Sequence, residues 1–76
     1  MSKAFVLLNC DIRSQDMITD ELLTFTGVSG AYKTQGVYDI IVTLESGSRD
    51  ELRSTIVKIR RIDAVRSSMT LMVTKE

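Results

Sequence analysis

Histidine and tryptophan are absent from this chain of 76 residues, and cysteine occurs once, at Cys10. Without histidine the chain lacks the commonest metal ligand and the usual general base. With a single cysteine it cannot close an intrachain disulfide. Neither sign of charge is in excess, ten Lys plus Arg standing against ten Asp plus Glu, so the pull toward a phosphate backbone that nucleic-acid binders rely on is missing. No apolar run approaches the roughly 20 residues that cross a bilayer as a helix. The run Ala4 to Leu8 is too short for the apolar region of a signal peptide, and no small-residue cleavage site follows it. A cytoplasmic protein is expected, and an unpaired thiol agrees with that compartment. A chain this small buries only about 60% of its unfolded surface. Small scaffolds add disulfides, a metal or oligomerisation; with the first two nearly excluded, oligomerisation is the expectation.

What is present divides into six elements in a single domain, 1–76. Lys3 to Cys10 is a near-continuous apolar run, the pattern of a strand covered on both faces. Ser14 can cap a helix with Asp16 in its first turn; Met17, Ile18, Leu22 and Phe25 share one face, with Leu23 beside it. Gly27 stands where that helix ends, in the position suited to a left-handed residue. Val28 to Gln35 mixes apolar and polar residues with Gly30, as an edge strand does. Tyr38 to Glu45 reads as the next strand, with Tyr38, Ile40, Val42 and Leu44 on one face and Asp39, Ile41 and Thr43 on the other. Ser48-Arg49-Asp50-Glu51 is a capping box, Ser48 and Glu51 each reaching the other's backbone N–H. Leu52, Ile56, Ile59 and the stem of Arg60 follow at helical spacing. Val65 to Thr74 alternates as a closing strand.

The order strand, helix, strand, strand, helix, strand carries a weak internal repeat, Gly27-Val28 against Ala64-Val65. Two such halves make an α+β, ferredoxin-like βαββαβ fold with a four-stranded antiparallel sheet in the order 4-1-3-2. Two helices cover one face of such a sheet. The other is left with Ile41 and either Val6 and Leu8 or Phe5 and Leu7. An apolar patch of that extent marks an interaction surface, and the expectation is an isologous dimer through the sheet face, a dimeric α+β barrel.

For catalysis the inventory is thin. There is no glycine-rich phosphate loop before a helix, no cysteine pair and no paired carboxylates on a shared face. No catalytic residue, metal site or cofactor is expected. Cys10 reads as a small buried hydrophobe, and Met17, Met69 and Met72 as core filler or interface surface. Arg60, Arg61 and Arg66 suit a helix C-terminus. The exception to this plain inventory is Gly36-Val37-Tyr38-Asp39, since strand interiors are poor in aspartate. Gly36 and Asp39 are either a turn glycine with a solvated aspartate, or a receptor for a zwitterion, the carboxylate taking an amine and open backbone N–H groups taking a carboxylate.

Thr34-Gln35-Gly36-Val37-Tyr38-Asp39-Ile40-Ile41, with Gly27-Val28 before it and Ile59-Arg60-Arg61-Ile62-Asp63-Ala64-Val65 and Thr70 after it, resembles the C-terminal effector domain of the Lrp/AsnC family of feast/famine transcription regulators, the RAM domain. The likeness runs from Ala4 to Val73. It implies the βαββαβ fold, dimerisation through the sheets, assembly of dimers into tetramers or octamers, and amino acids or similar small molecules as effectors at contacts between dimers. Carried over by position, Gly36, Val37 and Asp39 would form the effector loop with Tyr38 beneath it, and Ser68 and Thr70 would supply polar contacts, from a neighbouring subunit in one arrangement. Ala64 departs from the glycine common in the family. The family's winged helix-turn-helix is missing, so the resemblance implies a stand-alone module that modulates full-length Lrp/AsnC regulators without contacting DNA itself. A purely structural oligomerisation module, an ACT-like regulatory domain and a dimeric α+β barrel enzyme are the alternatives.

Overall fold

The computed structural model describes residues 2–74. Strand β1 (Ser2–Cys10) turns Ala4, Val6, Leu8 and Cys10 inward and Phe5 outward, so the apolar run is an alternating strand with hydrophobic residues on both faces. It pairs antiparallel with β3 (Ile40–Ser46) on one side and β4 (Val65–Met72) on the other. Strand β2 (Val28–Lys33) pairs with β3. The resulting sheet order β2-β3-β1-β4 is the expected 4-1-3-2 read from the other edge, with the two most apolar strands in the middle.

Helices α1 (Gln15–Leu22) and α2 (Arg49–Arg60) cover one face. Ile18 and Leu22 from α1, with Leu52, Ile56 and Ile59 from α2, close over Ala4, Val6, Leu8, Ile40, Val42 and Leu44. Phe25 packs partly buried against this core, whereas Met17 is 64% exposed and lies outside the stripe expected for it. Arg60 is likewise exposed, and Thr55 takes the fourth inward position of α2.

Both helix starts differ from the expected caps. Ser14 closes a 3₁₀ turn, its N–H donating to the Asp11 carbonyl at 2.9 Å, and its backbone is already helical (φ −96°, ψ −4°) with no side-chain cap bond. A cap needs an extended backbone to aim its hydroxyl back at the helix. Ser48 has one (φ −142°, ψ 157°) and accepts from the Glu51 N–H at 3.2 Å. The Glu51 carboxylate accepts the Ser46 hydroxyl at 2.7 Å, tying α2 to the end of β3 where the capping box would have bonded Ser48.

The internal repeat proves to be two turns with the same hydrogen bond and different backbones. Val28 N–H donates to the Phe25 carbonyl at 3.3 Å, and Val65 N–H to the Ile62 carbonyl at 3.0 Å. Gly27 reaches φ +96°, as the third position of a type II turn requires, whereas Ala64 keeps a negative φ, as a type I turn permits. The alanine in place of glycine therefore changes the turn type and keeps the connection.

The open face of the sheet carries Phe5, Leu7, Ile41, Met69 and Leu71. The registers Phe5↔Leu71, Leu7↔Met69 and Leu7↔Ile41 place them side by side. Phe5, Met69 and Leu71 are 42%, 46% and 49% exposed. Of the two pairs that could have faced outward, the structure selects Phe5 and Leu7.

Candidate functional site

Strand β2 ends at Lys33 and β3 begins at Ile40, so residues 34–39 form a loop two residues longer at each side than the expected hairpin connection. Its base is tied twice. The Thr34 N–H donates to the Asp39 carbonyl at 2.8 Å, and the Thr34 hydroxyl to the Tyr38 carbonyl, also at 2.8 Å. At the tip Gly36 has φ +136° with no atom within 4 Å of where a Cβ would stand. Backbone conformation, not crowding, calls for glycine here. Val37 beside it is 82% exposed.

Tyr38 does not share a face with Ile40. Its hydroxyl donates to the Met69 sulfur at 3.6 Å, and Met69 lies on the open face, so the ring spans the end of that face. The loop breaks the strict alternation that a continuous strand would impose.

Asp39 has a structural role that explains its odd position. The last ladder rung between β1 and β3 is Leu8↔Ile40; past it, Asp39 N–H donates to the Leu8 carbonyl at 2.9 Å. The Cys10 N–H lies beyond the ladder and donates to Asp39 Oδ2 at 2.9 Å. A side-chain carboxylate thus replaces the main-chain acceptor that a longer strand would have offered, and a charged acceptor makes the stronger bond. The Asp39 carbonyl accepts from Thr34 and from Gln15 Nε2, the latter at 2.7 Å. Among the described residues no hydrogen bond is seen to Asp39 Oδ1.

Gly36, Val37, Tyr38 and Asp39 therefore come together. Ser68 and Thr70 do not join them: they stand opposite Leu8 and Val6 on the helix-facing side of β4, with β1 between β4 and Asp39. Two strand spacings amount to about 10 Å. The Thr70 hydroxyl is buried with no hydrogen-bond partner among the described residues. Two clefts lie elsewhere. One of about 250 Å³ is lined by Gly27, Ser46, Glu51, Thr55 and Lys58 among others; a wider groove of about 440 Å³ runs between the helices past Met17, Phe25 and Ile62. Neither includes any of the six expected site residues.

Ionic contacts surround this end of the sheet. Lys33 pairs with Asp16 at 2.6 Å and Arg66 with Asp11 at 3.4 Å. Arg66 is thus committed to the end of β1 and stands apart from Arg60 and Arg61 at the end of α2. Burial pushes the Cys10 thiol above its ordinary value of 9.0, with the Asp39 and Asp11 carboxylates adding and Arg66 opposing. That disfavours the thiolate a nucleophile would need. Sequence reasoning missed Gln15, since nothing in local spacing separates it from any polar residue at a helix start.

A family model described as the Lrp/AsnC ligand binding domain matches residues 3–76. Among solved structures, the hypothetical protein PHS023 from Pyrococcus horikoshii superposes with a TM-score of 0.91 at 28% identity, over 100% of this chain and 93% of that one. AsnC of E. coli superposes with a TM-score of 0.87 at 26% identity, over 99% of this chain and 52% of that protein. Homocitrate synthase of Saccharolobus islandicus is 31% identical over 75 residues, 97% of this chain; the chain spans 16% of the length of that curated relative. No helix among the described residues is long and apolar enough to cross a membrane.

Proposed function

Given that the chain belongs to the Lrp/AsnC ligand-binding domain family, a family of regulatory effector-binding domains, we propose that it is a non-enzymatic module that senses amino acids or related small metabolites. It works as a homo-oligomer, dimeric through the open sheet face and extended to tetramers or octamers, and it modulates Lrp/AsnC-type regulators. The observation that carries this reading is Asp39: one carboxylate oxygen is held by Cys10 while the other has no hydrogen bond among the described residues, beside a glycine loop at the rim of the apolar face. A ligand ammonium at Oδ1 and its carboxylate at backbone N–H groups of Gly36 and Val37 use the charge-assisted bonds that zwitterions favour. Neither of the two clefts described above includes these residues, and in this reading a second subunit against the rim supplies a wall of the site. Ser68 and Thr70, on the helix-facing side of the edge strand β4, contribute in this reading from a subunit of a neighbouring dimer, at a contact between dimers and not across the open face.

The test is thermal unfolding with each proteinogenic amino acid in turn. An amino acid at a hundred times its dissociation constant stabilises by about 2.7 kcal/mol. Asp39→Asn is the informative variant, because the amide oxygen still accepts the Cys10 N–H while the charge is gone. It should fold and dimerise yet lose the stabilisation; a wild-type protein indifferent to every amino acid, or an Asn variant that responds as wild type does, overturns the reading.

The homocitrate synthase match favours a second reading, in which a module of this kind regulates a biosynthetic enzyme directly. Co-purification with such an enzyme, and a change in its rate on adding the module with an amino acid, would separate the two.

A further inference from the structure

We infer that Gln15 is the residue that positions Asp39 for effector recognition, an inference that rests on the reading above. Asp39 lies one residue outside the regular β1–β3 ladder, where a backbone is ordinarily free to fray. Four hydrogen bonds hold it: its N–H to Leu8, its carbonyl from Thr34 N–H and Gln15 Nε2, and its Oδ2 from Cys10 N–H. The Leu8, Thr34 and Cys10 groups are main chain, which almost any residue supplies. Gln15 is the one partner that contributes through its side chain. It is the first residue of α1, 24 positions away in sequence, and its amide is part-buried against the loop at 2.7 Å.

The consequence for binding is preorganisation. With the carbonyl held by two donors and Oδ2 by a third, the Asp39 side chain has little freedom about Cα–Cβ, and Oδ1 is presented in one direction. Without Gln15 the carbonyl keeps only Thr34, at the base of a loop whose tip already needs a left-handed glycine. The ordering then has to occur on binding, at the expense of affinity.

The experiment measures dissociation constants by calorimetry for the proteinogenic amino acids in wild type, Gln15→Met and Thr19→Ala. Methionine matches glutamine in length without the donor. Thr19 donates to the Gln15 carbonyl at 2.7 Å within α1 and makes no bond to Asp39, so its variant disturbs the same helical turn without touching the loop. The expected result is affinity about tenfold weaker in Gln15→Met, the scale on which outer-shell partners act, with Thr19→Ala unchanged. Amide exchange at Thr34 should accelerate in Gln15→Met. Wild-type binding with an equal constant in Gln15→Met, or an equal loss in Thr19→Ala, overturns the positioning role and leaves the effector reading intact. A wild type that binds no amino acid overturns the effector reading itself and takes this role with it.

Discussion

The two faces of the sheet are built by the same strands from nearly the same residue types, yet they do different things. On the covered face Val6, Leu8, Ile40 and Val42 are fully buried beneath the helices. On the other, Phe5, Leu7, Ile41, Met69 and Leu71 form an apolar surface that no element among the described residues covers. The covered face holds the chain together; the open one is the surface we propose for association. The difference shows that hydrophobicity along a strand does not say which side is the core. That depends on where the connections send the helices.

The largest effect should come from exchanging neighbours across this divide. Leu8→Ala removes a fully buried side chain and should cost about 2–5 kcal/mol at any protein concentration. Leu7→Ala, one residue away, should cost far less in dilute protein and show its loss only where the oligomer is populated, because association stabilises by mass action. Denaturant unfolding at several concentrations reads both. Equal, concentration-independent losses would break the distinction between the faces.

Thr70 sharpens the comparison from the other side. It faces the helices from the edge strand with a buried hydroxyl that has no partner among the described residues. Thr70→Val should raise stability by about 1 kcal/mol, since an unpaired buried hydroxyl costs on that order. Unchanged or lower stability would mean that the hydroxyl finds a partner in solution.

The smallest effect concerns Cys10, at the margin of the covered face. Folding raises its thiol pKa, so the neutral form is favoured in the native state. The linked stability is complete below the ordinary value of 9.0 and is lost as pH rises through the higher folded value. Stability measured upward from pH 9 should decline less in Cys10→Ala than in wild type. Alkylation of the native thiol should be slow at neutral pH.

Much of the architecture was legible before any coordinates. The apolar runs, the Ser48 cap and the glycine at Gly27 led to the strand order, the start of α2 and the positive φ. Asp39 was legible only as an anomaly. Its partners, Cys10 N–H and Gln15 Nε2, lie 29 and 24 positions away, and no local pattern encodes such a meeting. The reciprocal half of the capping box failed for a different, local reason: the Glu51 carboxylate accepts the hydroxyl of nearby Ser46 in place of the Ser48 N–H. Tyr38 changed faces because a loop, unlike a strand, does not enforce alternation.

By itself the sequence determined the element types, the βαββαβ order, which strands are central, and that one sheet face would be left apolar and open, because these follow from periodicity and from the number of helices. Only the tertiary structure decided that Phe5 and Leu7 form that open face, that Asp39 caps the end of β1, that Gln15 braces it, and that Ser68 and Thr70 stand about two strand spacings away. Those outcomes depend on register and on contacts between distant residues, and a slip of one residue would have reversed every side chain.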